Sequence, residues 1–182
     1  AGDAAAAGGA PHAARVAGLH ARAERLQVQA DERARSLARL VDELAGKSRR
    51  LASTPSIWPT RGWVTSGYGW RTSPFTGLRQ FHAGLDISTR PGTPIVAPAR
   101  GQVVSAGKDG ALGLTLVIDH GYGVRTTYGH ASKLFVKKGQ DVERGQKIAA
   151  VGSTGRSTGP HLHYVVQVDG RRVNPANYVL VE

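Results

Sequence analysis

The 182-residue sequence contains no cysteine. That excludes disulfides, thiolate metal ligands and a cysteine nucleophile, but it leaves the compartment open, because envelope proteins also do without cysteine. No apolar run approaches the length a bilayer-spanning helix needs. No signal peptide is visible, and the chain starts at Ala1, as a mature or trimmed product would. There is no H-E-x-x-H, so a glutamate base of that metalloprotease kind is not indicated. Strand–helix–strand alternation is absent, which argues against a parallel sheet. Acidic residues are few: 13 Asp/Glu face 24 Lys/Arg, for a net charge of +11. Residues 1–60 hold 9 Lys/Arg and 6 Asp/Glu, residues 61–182 hold 15 and 7, so the excess sits on the second part. Such a surface favours polyanions, whether nucleic acid, anionic lipid or an acidic wall polymer. Nucleic acid is disfavoured, because the second part lacks an interleaved array of aromatics for stacking. What is present suffices for a core, with 40% apolar residues in a chain long enough for one domain and an extension.

The composition changes near residue 52. Residues 1–10, "AGDAAAAGGA", read as a flexible leader. Residues 11–52 are rich in Ala, Arg, Leu and Glu and read as one long helix, with Pro11 suited to its first turn. A heptad register runs through Val16, Leu19, Ala23, Leu26, Ala30, Arg33, Leu37, Leu40, Leu44, Lys47 and Leu51. Its apolar seam predicts a coiled coil, interrupted by Arg33 and Lys47 and softened by Gly18. A helix of this kind cannot bury its stripe alone, so residues 11–52 call for self-association, a partner helix or a face of the second domain. His12 and His20 lie on this helix as solvated residues. Residues 53–62 form a linker in which Pro55 and Pro59 end the helix.

Residues 63–182 read as mainly β. Short apolar runs near 63–67, 85–88, 94–98, 101–107, 114–119, 124–130, 147–151 and 161–168 alternate with glycine-bearing turns. That spacing predicts antiparallel hairpins in a barrel- or sandwich-like domain. Trp58, Trp63 and Trp70 at the domain entry are expected to pack in core and linker.

Five of the seven histidines fall in this β part: His82, His120, His130, His161 and His163. In "GPHLHYVVQVDG" two of them stand one residue apart at the head of an alternating strand, so His161 and His163 share a face, about 6–7 Å apart along the chain. "FHAGLDIS" places His82 and Asp86 four apart; Gly84 and the β surroundings argue against a helix, so a turn is expected to lead His82 into the strand carrying Asp86. "TTYGHAS" ends a β run at His130. Imidazole and carboxylate suit zinc, and a catalytic site uses three protein ligands with one open position. Five candidates exceed three ligands and leave two histidines for chemistry on a bound water. His120, in "IDHGYG", reads as a turn residue, and Tyr128 is equally suited to the core or to a groove. "GSTGRSTGP" lacks the G-K-[ST] ending of a phosphate loop and precedes a strand, so it reads as a wall of a substrate groove.

These segments together resemble the lysostaphin/LytM-type zinc metallopeptidases, which cut peptide bonds in bacterial peptidoglycan. The resemblance runs from about Ser56 to Val179 through "WVTSGYGWR", "FHAGLDIS", "GTPIVAPARGQVV", "TTYGHAS", "VKKGQDVERGQKIAAVGSTGRSTGPHLHY" and "VNPANYV". It implies a β-rich domain with a groove, an envelope or periplasmic location, and one Zn2+ per chain held by His82, Asp86 and His163. It also implies that His161 and His130 act on the reaction, with peptidoglycan stem peptides as substrate. His161 is expected to move the water proton to the leaving amine, and His130 to orient the water or steady the oxyanion. All five positions are filled, which matters because some members have lost ligands and only activate other wall hydrolases. The alternative is such a non-enzymatic activator of a wall amidase, working through its coiled coil. The bond cut, between D-alanine and a diamino acid or between glycines, stays open.

Overall fold

The computed structural model describes residues 9–179, and the chain divides between Ser48 and Arg49 into two units. Helix α1 (Gly9–Ser53) runs unbroken for 45 residues, about 67 Å at 1.5 Å per residue. Ala, Leu, Arg and Glu are strong helix formers and carry it through Gly18 without a break. It begins two residues before the expected start, so Gly9 and Ala10 are helical; the rest of the expected leader, residues 1–8, lies outside the described residues. The seam leucines Leu19, Leu26, Leu37, Leu40 and Leu44 are all exposed. The helix ends where Thr54 folds back, its hydroxyl donating to the Arg50 carbonyl at 2.9 Å and its N–H to Leu51 O at 3.1 Å. Pro55 follows and cannot continue it. Residues 54–62 are pinned to the β unit: Ser56 N–H donates to Pro98 O, Val96 N–H to Pro59 O, and the Thr60 hydroxyl to Pro94 O.

The β unit contains β1 (Trp63–Ser66), β2 (Gly69–Thr72), β3 (Arg79–His82), β4 (Leu85–Ser88), β5 (Pro94–Val96), β6 (Gly101–Asp109), β7 (Gly113–Gly121), β8 (Val124–Leu134), β9 (Asp141–Val142), β10 (Lys147–Val151), β11 (His161–Val168) and β12 (Arg171–Val173). Ten strands form one antiparallel sheet with the main path β1-β4-β11-β8-β7-β6-β9, while β2 and β3 pair as a separate ribbon. The sheet splits along β8, whose first part pairs with β7 and whose last residues, Ala131–Leu134, pair with β10. The antiparallel β architecture behind one long helix is therefore the expected class. Four strands went unanticipated, β2, β3, β9 and β12, all two to four residues long and without the apolar run that marks the equally short β1, β4 and β5.

The core lies beneath the sheet around Leu85, Ile87, Ile95, Leu116, Leu162 and Tyr164, all at most 3% exposed. On β11 Leu162, Tyr164 and Val166 are fully buried, and His161 and His163 on the other parity are half-buried, with Val165 beyond them buried as well. Tyr128 joins the core rather than a groove, its ring 5.6 Å from that of Tyr164. Two expectations fail. Trp58 packs against the core, but Trp63 and Trp70 are exposed, at 83% and 64%. Trp63 sits on the sheet's edge strand, and Trp70 lies on the outer face of the β2–β3 ribbon against Phe81. His120 is no turn residue either; it lies near the end of β7, buried, where its Nδ1–H donates to Arg100 O and its Nε2 accepts from the Thr126 hydroxyl, both at 2.7 Å.

Candidate metal centre

Strand register builds the centre. In the β4–β11 pair, Asp86 stands directly opposite His163, so their side chains rise from the same face at neighbour distance. Leu85 and Ile87 take the core face of β4 and leave Asp86 on the other. His82 is led into the strand carrying Asp86 by a short bend, as expected. It is the last residue of β3, and the short connection through Ala83 and Gly84 swings it from the ribbon onto the main sheet. Gly84 is there for space: a Cβ on it would meet Tyr164 O at 2.7 Å and the His163 ring at 2.8 Å.

Three ligand atoms converge. Asp86 Oδ1 accepts from His163 Nδ1 at 2.7 Å, His82 Nε2 lies 3.2 Å from His163 Nδ1, and it lies 3.2 Å from Asp86 Oδ1. His82 and Asp86 are buried and His163 is half-buried. This is the one cluster among the described residues where three such groups come within reach of a single ion. Tetrahedral bonds of about 2.0–2.1 Å would separate ligand atoms by roughly 3.3 Å. The three atoms therefore need to open by a few tenths of an ångström, and two imidazoles with one carboxylate are a donor set that suits zinc. The orientation is fixed from behind. His82 donates its Nδ1–H to Gly67 O at 2.7 Å, which leaves the Nε2 lone pair for the cluster, and Arg71 Nη1 holds Asp86 Oδ2 at 3.1 Å. Burial raises the Asp86 pKa, but the hydrogen bond from His163 and the adjoining His82 ring outweigh it and hold the carboxyl well below the usual range.

His161 and His130 flank the cluster. Both are locked by a backbone carbonyl, His161 Nδ1–H to Gly159 O at 2.8 Å and His130 Nδ1–H to Thr154 O at 2.7 Å. A carbonyl only accepts, so each neutral ring presents an unprotonated Nε2. That of His161 stands 3.9 Å from Asp86 Oδ1. The His130 and His161 rings are 4.7 Å apart between centroids, and those of His130 and His163 are 6.0 Å apart. Strict alternation along β8 would send the His130 ring into the core with Tyr128, yet the ring, although buried, lies beside His161 and His163. His130 takes φ 62°, a conformation rare for a non-glycine residue, at a place where the β8 ladder is irregular. Burial lowers the His130 pKa below its ordinary value, so the ring is favoured as neutral.

All five sequence candidates thus meet at one site, and His120, His12 and His20 do not join it. A cavity of about 190 Å³ opens on it, with Arg71, Phe75, Leu112, His82, His130 and His163 in its lining. A larger cavity of about 390 Å³, lined by His120, Asp119, Asp141 and Glu143 among others, holds no comparable cluster of ligand atoms among the described residues. The segment "GSTGRSTGP", expected as a groove wall, contributes Arg156 to the cavity lining. Sequence reasoning singled out neither Arg156 and Thr154 within it nor Arg71 and the steric role of Gly84, because no spacing rule marks an arginine as the partner of a distant aspartate.

Residues 80–175 match the model of peptidase family M23. The chain belongs to that family. It is 46% identical over 112 residues to the peptidoglycan DD-endopeptidase ShyB of Vibrio cholerae, covering 61% of this chain and 26% of that protein. Among solved structures, a zinc-containing peptidase from Vibrio cholerae superposes with a TM-score of 0.62 at 42% identity, covering 66% of this chain and 39% of that one. The catalytic domain of lysostaphin from Staphylococcus simulans gives 0.60 at 33% identity, covering 64% of this chain and 91% of that one. The lysostaphin-type resemblance is therefore confirmed. The chain spans only 22–27% of the length of the first curated relatives it matches.

Proposed function

We propose that the β unit is a zinc-dependent endopeptidase that hydrolyses peptide cross-links of peptidoglycan in the periplasm or cell envelope, with one zinc per chain. The observation that carries this reading is the convergence of His82 Nε2, Asp86 Oδ1 and His163 Nδ1 within 3.2 Å of one another, beside two further histidines with open Nε2 atoms. These three atoms would hold the ion, which when bound supplies a water of lowered pKa and polarises the scissile carbonyl. In the metal-free protein His163 Nδ1–H points at Asp86, so holding an ion through Nδ1 would require the neutral ring to carry its proton on Nε2 instead. His161 Nε2 is placed to accept the water proton and hand it to the leaving amine. His130, neutral with its Nδ1–H already engaged, has only an acceptor to offer, which favours orienting the water over donating to an oxyanion. The ring of Arg71, Ser66 and Gly67 around Asp86 and His82 keeps the ligand atoms in place. The exposed leucine seam of α1 belongs to the same reading, as a surface for self-association or a helical partner through residues 11–52.

The test uses purified sacculi and the full chain. His161→Ala is expected to keep its zinc by elemental analysis and to lose lysis by 10²–10⁴-fold, the usual worth of a general base. Undiminished lysis by that variant would overturn its role. A chain that binds no zinc and lyses nothing alone, yet accelerates a wall amidase, would overturn the hydrolase reading in favour of an activator.

A further inference from the structure

The cavity over the metal centre has a charge pattern that the hydrolytic chemistry does not use. Two arginines line it, Arg71 and Arg156, together with the apolar walls of Phe75 and Leu112, and no acidic residue does. Arg71 is committed, its guanidinium paired with Asp86 Oδ2 and hydrogen-bonded to the Ser66 hydroxyl. Arg156 is not: among the described residues it has no carboxylate partner. It is nevertheless held in position. Its guanidinium lies 4.3 Å over the Phe75 ring, which restrains the plane without consuming the N–H donors. Its backbone N–H donates to Ala111 O at 2.8 Å. The same loop is anchored by Thr154, whose hydroxyl donates to Ala131 O at 2.8 Å and accepts from the Leu114 N–H at 2.9 Å. Gly155 packs so closely on Gly113 that a Cβ would lie 2.4 Å from its nitrogen. An exposed guanidinium resting on Phe75 at the rim of an acid-free cavity that His130 and His163 also line has the chemistry of a carboxylate receptor.

We propose that Arg156 is a specificity-determining residue that binds a free carboxylate on the substrate next to the scissile amide. The inference rests on the peptidase reading and narrows it. It selects cross-links in which the carbon bearing the scissile nitrogen also bears a carboxylate, as in a D-alanyl–diamino acid bond. It selects against glycyl bridges, which carry no charge there.

The test compares two cross-linked stem peptides that differ at one group, a free carboxylate or its carboxamide on the diamino acid carbon beside the scissile bond. Cleavage of each is measured as kcat/KM with the zinc-loaded full chain and with Arg156→Gln and Arg156→Lys. Binding of each to the zinc-free full chain is measured by titration calorimetry. The wild type is expected to favour the carboxylate by about tenfold or more, the range for one charge-assisted hydrogen bond. Arg156→Gln should bring the ratio close to one, and Arg156→Lys should recover part of it. A wild-type ratio near one, a ratio that survives Arg156→Gln, or no detectable binding of the carboxylate peptide would overturn the proposal. If neither peptide is cleaved but calorimetry shows an Arg156-dependent preference for the carboxylate, the peptidase reading fails and the subsite stands.

Discussion

Replacing Gly84 by alanine isolates one steric demand of the centre. Gly84 is not among the residues with positive φ, so its backbone conformation is open to any residue and the cost is packing alone. The new methyl would sit 2.7 Å from Tyr164 O, 2.8 Å from His163 Cε1 and 3.0 Å from His163 Nε2, where ordinary contact begins near 3.4 Å. Something must give by about 0.4–0.7 Å. The Tyr164 carbonyl belongs to β11, which is held between β4 and β8, so the His163 ring and the start of β4 yield instead. Overpacking of this kind costs about 1–3 kcal/mol. The gain from a less flexible unfolded chain offsets about 0.4–1 kcal/mol, leaving a net loss of about 1–2 kcal/mol. For a unit the size of Arg49–Glu182 the unfolding entropy is about 0.3 kcal/mol/K, so Tm should fall by about 4–7 °C. Because the displaced ring carries one of the three converging ligand atoms, zinc affinity should fall as well, read by competition with a chromophoric chelator. Gly107→Ala, on β6 with nothing within 4 Å of its new methyl, is the matched control and should do neither. Equal Tm and equal zinc affinity in Gly84→Ala and wild type would refute the packing account of the centre.

Metal removal and acid give further tests. Chelation of the full chain should abolish lysis and lower Tm, and zinc at 100 times its Kd should restore about 2.7 kcal/mol of stability; Asp86→Asn should respond to neither treatment, and a zinc-dependent Tm in that variant would rule out the carboxylate as a ligand. His120, buried and clamped between Arg100 O and Thr126, has its pKa lowered by burial. The unfolded chain then takes up a proton near pH 6.5 that the folded chain refuses, so stability is full above that pH and declines as pH falls until the folded pKa is passed. His130 acts in the same direction. His120→Gln should flatten part of the decline in urea-unfolding free energy between pH 7 and 5, and a slope equal to that of the wild type would refute the assignment.

Much of the centre was legible in the linear order of residues. Period-two alternation put His161 and His163 on one face, and the same pattern reserved Leu162, Tyr164 and Val166 for the core. The helix was legible because 45 residues of strong formers repeat one seam. Neither rule reaches across the chain. That Asp86 stands opposite His163 is a matter of strand register over 77 residues of separation, decided by which faces the β4 and β11 residues bury. His130 enters the site only because tertiary packing holds it at positive φ and turns its ring out of the place alternation assigns. Arg71 and Arg156 acquire meaning only from what they meet, an aspartate on another sheet and an aromatic ring on another loop. Residue types and local periods are properties of neighbours along the chain, so sequence determined the elements and the kind of chemistry. Ligand geometry, tautomer and charge at the groove depend on distant groups brought to a few ångströms, and only the folded sheet decides those.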